Sequence, residues 1–168
     1  MMGMIACYQM IEGKAIKELL NKTDEEVFEA IEELQEMDEC VLDIDKLWDG
    51  LHFMLTGVSA AEPLRDNPLS EAVVGVDSFF DDENSDYITY ILPERMAAIM
   101  NALKCFEIEN AVRNFEPEEF ARKEIYPDIW VKEDKEELQE ELSESFYALK
   151  NFYEKAAQSG KGVIVSIY

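Results

Sequence analysis

The sequence predicts a single α/β domain, with α+β as the alternative: a small central mixed sheet of three to four strands covered by several helices. At 168 residues the chain fits one domain large enough to bury a core. Hydrophobic residues make up 48%, with nine Phe, seven Tyr and two Trp, a composition that folds rather than staying disordered. Short apolar or β-branched runs alternate with long stretches of helical periodicity, the pattern of a sheet with helices packed on it. With no internal repeat, low-complexity linker or boundary, the domain is expected to span residues 1–168.

In chain order, Met4 to Ile11 is an apolar run ending before Gly13, and predicts a first, mostly buried strand. Lys14 to Asn21 has Ala15, Ile16, Leu19 and Leu20 at helical spacing. Thr23-Asp-Glu-Glu26 is a capping box, and the helix it opens puts Val27, Phe28, Ile31 and Leu34 on one face. Asp45 to Thr56 predicts a helix stopped by Gly57. Val58 to Asn67 is a loop. Pro68 to Val76 is ambiguous: Pro68 suits a helix start, whereas Val73-Val74-Gly75-Val76 suits a strand near 72–77. Asp77 to Asp86 carries acids and no base and predicts an exposed loop, without the glycine and spacing of a calcium loop.

Tyr87 to Leu92 alternates β-branched, apolar and aromatic residues and predicts a strand. Pro93 suits the first position of the following helix, whose buried face is Met96, Ile99, Met100 and Leu103. Shorter helices are expected over 107–115 and 117–123. Asp134 opens the longest helix, with Leu138, Leu142, Phe146, Leu149, Tyr153 and Ala156 forming an amphipathic stripe that ends before Gly160. Val163 to Ile167 is the closing strand. The apolar first and last strands suit central positions, and such long connections permit parallel pairing.

The most informative segment is Asp43-Ile-Asp-Lys-Leu-Trp48-Asp-Gly-Leu-His52-Phe-Met-Leu-Thr56-Gly57, which holds the only histidine of the chain. On a continuous helix, Asp45, Asp49, His52 and Thr56 fall within an arc of roughly 60°. Leu47, Trp48, Leu51, Met54 and Leu55 cover the adjoining side. A carboxylate three residues before a histidine can fix its tautomer and raise its basicity. His52 is thus a candidate general base oriented by Asp49 or Asp45, with Thr56, Ser59 and Ser70 as nearby hydroxyls. The trio Asp45, Asp49 and His52 is the candidate metal site, since imidazole and carboxylates suit a divalent ion. The alternative is a structural histidine flanked by capping aspartates. Trp48, His52, Tyr126 and Trp130 are the candidate binding residues, Tyr126 and Trp130 either lining a pocket or closing the core.

The same segment resembles the YfbM-like family of small bacterial proteins of unknown function. The resemblance runs nearly end to end: Met2-Gly3-Met4-Ile5, the Asp43–Gly57 motif, Asn67-Pro68-Leu69-Ser70-x-Ala72-Val73-Val74-Gly75, Ile125-Tyr126-Pro127 and the apolar C-terminal strand. It implies one cytoplasmic domain mixing helices and strands. It implies no reaction.

Net charge is −23, from 38 acidic and 15 basic residues. Such a field repels phosphate backbones and anionic membranes, so neither nucleic acid nor a membrane is an expected partner. Between Asp24 and Asp45 there are eleven acids and no Lys or Arg. Acids favour a helix's first turn and oppose its last, so this block works against local stability and hints at a use beyond solubility. Cys7, Cys40 and Cys105 contain no CxxC pair and are expected to be free buried thiols of a reducing cytosol. No base precedes Lys14 and no apolar run approaches the length of a span, so a secretory signal and a transmembrane helix are not expected. Dinucleotide, Walker, zincin and kinase motifs are missing, and no cofactor is expected. Two functions fit these residues. One is an acidic binding or regulatory module for a basic protein partner, as when an inhibitor holds a cognate nuclease toxin. The other is a small hydrolase or metal-assisted enzyme built on the Asp/His segment.

Overall fold

Hydrogen-bond register sets the architecture. A computed structural model describes residues 4–36, 41–80 and 87–168. Residues 1–3, Cys40 with the rest of 37–40, and 81–86 of the Asp77–Asp86 segment lie outside the described residues. The chain runs β1 (Ala6–Ile11), α1 (Gly13–Leu19), α2 (Asp24–Gln35), β2 (Val41–Asp43), a 3-10 turn (Asp45–Leu47) and α3 (Trp48–Thr56). It continues through α4 (Pro68–Val74), β3 (Asp77–Ser78), β4 (Tyr87–Ile91), a 3-10 turn (Pro93–Arg95) and α5 (Met96–Cys105). Then follow α6 (Ile108–Arg113), α7 (Pro117–Arg122), α8 (Lys135–Gln158) and β5 (Gly162–Ile167).

The described sheet has five strands in the order β2-β1-β5-β4-β3. Every neighbouring pair is antiparallel, so the expected mixed sheet with parallel pairing is corrected. Long connections permit parallel pairing but do not enforce it; here each strand enters the sheet against its neighbour. The expectation of central first and last strands holds, with β5 in the middle and β1 beside it.

Period-two alternation splits the core. Tyr8, Val165 and Thr89 stand in one cross-strand row and Met10, Val163 and Ile91 in the next, all on one face. That face packs on α3, α4, α5 and α8. The six stripe residues of α8, Leu138 through Ala156, are all buried. The opposite face presents Ile11, Ile164 and Ile88 to Ile16, Leu19, Val27 and Ile31 of α1 and α2. Thr23 opens α2 as expected, its Oγ1 accepting the Glu26 N–H. No helix among the described residues is long and apolar enough to cross a membrane.

The ambiguous segment 68–76 resolves as helix over Pro68–Val74 instead of a strand near 72–77, and the strand that follows is only Asp77–Ser78. Asn67 caps it by accepting the Leu69 and Ser70 N–H groups. The last carbonyls of a helix have no partner within it. Here Tyr153 donates to Ala72 O and Tyr8 to Val73 O, both at 2.7 Å. Thr89 (2.7 Å) and Tyr87 (3.1 Å) both donate to Val74 O. Four hydroxyls from β1, β4 and α8 therefore pin the end of α4 to the sheet, an arrangement a Val-rich strand at this position would forfeit. Of the thiols, Cys7 is buried and Cys105 exposed, so burial of every cysteine is corrected.

A candidate site: a bolted loop beside an aromatic cleft

The polar residues of the Asp43–Gly57 segment are not a ridge open to solvent. Asp45 has φ 55°, starts a 3-10 turn, and donates its N–H to Asp43 Oδ1 (2.6 Å). It is exposed, whereas α3 proper begins only at Trp48. The 100° spacing therefore does not carry from Asp45 to Asp49, and the expected four-residue stripe is split.

Asp49 is buried, and both its oxygens are engaged. Oδ1 accepts from Ala60 N–H (2.7 Å), Oδ2 from Tyr126 N–H (2.9 Å), and Ser59 Oγ lies 3.0 and 3.2 Å from the two. A buried carboxylate without a cation needs this full set of donors to offset its lost hydration. None of the donors is His52.

His52 has no exposed surface. Its Nδ1 lies 2.8 Å from Val58 O, which can only accept, so Nδ1 carries the proton. Its Nε2, 2.7 Å from Ser70 Oγ, then accepts the serine proton, and Ser70 Oγ in turn accepts the Leu64 N–H at 3.0 Å. Thr56 Oγ1 donates to His52 O (2.8 Å) and accepts from Val58 N. Burial lowers the imidazole's affinity for a proton, partly offset by the Val58 carbonyl and by Asp49. The ring is neutral and satisfied at both nitrogens.

Together these bonds fasten one loop. Asp49 holds residues 59 and 60, His52 and Thr56 hold 58, and Ser70 holds 64. A general base must reach its substrate. His52 and Ser70 are both fully buried, so the hydrolase reading finds no reachable base at this position. The candidate metal trio is likewise not brought together: Asp45 points outward, and the ligand atoms of Asp49 and His52 are already bonded. Among the described residues no three His, Cys, Asp or Glu side chains are grouped to hold an ion.

The four candidate binding residues do not form one site, although Trp48 and Tyr126 are in contact. Trp130 is sealed against Phe115 and Phe120, donates to Ile125 O (2.7 Å), and lies over Gly50, where a Cβ would collide with its ring. His52 is core, as described. Trp48 packs on Tyr126 with centroids 5.5 Å apart and donates to Met4 O, while Tyr126 Oη accepts the Met4 N–H. Trp48 lines an open cleft, and none of the other three candidates is among its companions there. That cleft, about 620 Å³, is lined by Met4, Ala60, Ala61, Pro63, Val74, Tyr87, Ile167 and Tyr168 besides Trp48.

An adjoining cavity of about 320 Å³ shares Pro63 and Tyr87 and adds Leu64, Arg65, Asp66, Glu71, Val76 and Asp77. Glu71 is buried and accepts from Arg95 Nε at 2.7 Å. Met4, Tyr87 and Tyr168 carried no signal in the sequence, because strand ends look alike until pairing puts them side by side. The bolted loop thus forms one side of an aromatic-lined cleft.

Residues 2–166 match the family model described as a domain of unknown function, DUF1877. It is 33% identical to protein YfbM of Escherichia coli (strain K12) over 136 residues, 80% of each chain. The crystal structure of YfbM from Escherichia coli, also described as of unknown function, superposes with a TM-score of 0.77 at 28% identity, covering 98% of this chain and 99% of that one. A full-length family match, a curated relative and a shared fold agree, and the protein belongs to the DUF1877 family.

Proposed function

We propose that this protein is an acidic binding or regulatory module that recognises a basic protein partner, in the manner of an inhibitor or immunity protein, in the cytoplasm. The observation that carries the proposal is an anionic surface left without compensation. Against 38 acids, only two ion pairs form among the described residues, Glu71–Arg95 and the exposed Asp128–Lys132. Helix α2 exposes Asp24, Glu25, Glu26, Glu29, Glu32 and Glu33 and has no base in its last turn. On α8 the Glu141 carboxyl is raised above its usual range by partial burial and by Glu133 and Glu137 beside it. Like charges held this close oppose folding and favour an oppositely charged partner, whose approach they accelerate.

The test is affinity purification from lysate at low and high salt, followed by calorimetric titration of the purified partner. A stoichiometric complex with a basic protein is expected, weakened by salt and by the triple substitution Glu29→Lys, Glu32→Lys, Glu33→Lys. Failure to recover any salt-sensitive stoichiometric partner would sink the proposal.

A further inference from the structure

Eight large apolar side chains are exposed among the described residues, and five of them, Met4, Leu64, Val76, Tyr87 and Tyr168, flank the two adjoining cavities beside the bolted loop. Apolar groups scattered singly over a surface need no explanation, whereas a concentration around one cleft marks a partner site. Three aromatic side chains, Trp48, Tyr87 and Tyr168, line the larger cavity. Asp66 and Asp77 line the smaller one, and partial burial raises the Tyr168 phenol, with Cys7 and Asp43 adding to the effect. Arg65 is the opposing cation there.

Aromatic faces with carboxylates at the edge suit a cation on an alkyl stem, which lays its methylenes on the rings and its charge toward the acids. An anionic ligand is disfavoured by the same acids. A second copy of this chain is disfavoured because each carries −23.

We infer that this cleft is the seat of a lysine or arginine side chain from the basic partner. The inference rests on the acidic-module proposal and gives it an address: the charged helices attract the partner, and the aromatic cleft anchors it. Hot spots of interfaces are commonly aromatic pockets of this kind, surrounded by weaker polar contacts.

The probe is hexalysine, with hexa-acetyl-lysine and hexaglutamate as controls, titrated into the full chain at low salt. Binding is followed by amide chemical shifts and by the indole signals. Trp130 is sealed, so its indole is an internal reference for that of Trp48. Hexalysine is expected to shift Trp48, Leu64, Tyr87 and Tyr168 and leave Trp130 unmoved; neither control should bind.

Tyr168→Ala, which changes no charge at neutral pH and removes an exposed ring, is expected to weaken binding about three- to fivefold, the scale of one exposed cation–π contact. Tyr168→Phe is expected to restore it. Two results would overturn the cleft while sparing the charge proposal: shifts spread over α2 and α8 with unaltered affinity in Tyr168→Ala, or equal binding of the acetylated peptide. No binding of hexalysine at low salt would overturn both.

Discussion

Replacing Asp49 by Asn tests whether the acids of the Asp43–Gly57 segment are structural, because it changes one atom in a buried site. The carboxylate accepts the Ala60 N–H at one oxygen and the Tyr126 N–H at the other, with Ser59 between them. An amide can accept at only one of these positions. At the other, its NH2 points a donor at a donor, which leaves a backbone N–H orphaned. Losing a charge-assisted bond costs about 1.5–3 kcal/mol, and an unsatisfied buried group about 1–3 kcal/mol. Part is returned because a neutral amide is cheaper to bury than an ion. The expected net loss is about 2–4 kcal/mol, or roughly 5–15 °C in Tm for a chain of this size.

The sign is diagnostic. Removing one negative charge from a chain at −23 relieves self-repulsion, so an exposed control such as Glu29→Gln is expected to be neutral or slightly stabilising. Urea unfolding followed by circular dichroism at pH 7 measures the loss. Amide hydrogen exchange localises it, with Ala60 and Tyr126 losing protection ahead of the strand β5 core. An Asp49→Asn variant within about 1 kcal/mol of the parent, or no faster exchange at those two amides, would refute the bolted-loop account.

Two further outcomes follow from the same packing. The folded imidazole of His52 holds its proton less tightly than in the unfolded chain, with burial as the main cause. Its contribution to stability is therefore fully present above the unfolded value of about 6.5 and is lost as pH falls through that value toward the lowered folded one. Over pH 8 to 5 the single histidine NMR signal should titrate only below pH 6.5 while the urea midpoint falls; an imidazole that titrates at or above about 6.5 in the folded protein would contradict this. Gly50→Ala forces a Cβ into the Trp130 ring, and is expected to cost about 1–2 kcal/mol after the gain in helix propensity, with partial recovery when Trp130→Phe is added. Thermal unfolding of the single and double variants reads it directly.

Much of the fold is legible along the chain because its causes are local. The α8 stripe, the Thr23 and Asp134 caps and the Gly57 stop each depend on spacing or on a residue's own backbone and side chain, and each is found. Segment 68–76 is different. Its valines have no local preference for helix, and the helix is held by the hydroxyls of Tyr8, Tyr87, Thr89 and Tyr153, from 13 to 81 residues away. The site divides in the same way. Helical spacing singles out Asp45, Asp49, His52 and Thr56 as a group; the last three do fasten the same loop, whereas Asp45 lies outside the helix. The helical wheel alone cannot say whether their shared face meets water or a loop.

Residue order by itself therefore determined the family, most element boundaries, the buried stripe of each long helix and the anionic exterior, all set by neighbours within a few turns. Tertiary structure alone decided strand direction, the helical state of 68–74, and the folding of 58–64 over the Asp/His face. Only there do Met4, Trp48, Tyr87 and Tyr168, distant in sequence, meet around one cleft. The physical reason is that hydrogen-bond satisfaction of a buried group and the enclosure of a cavity are properties of several segments at once, and no window of sequence contains them.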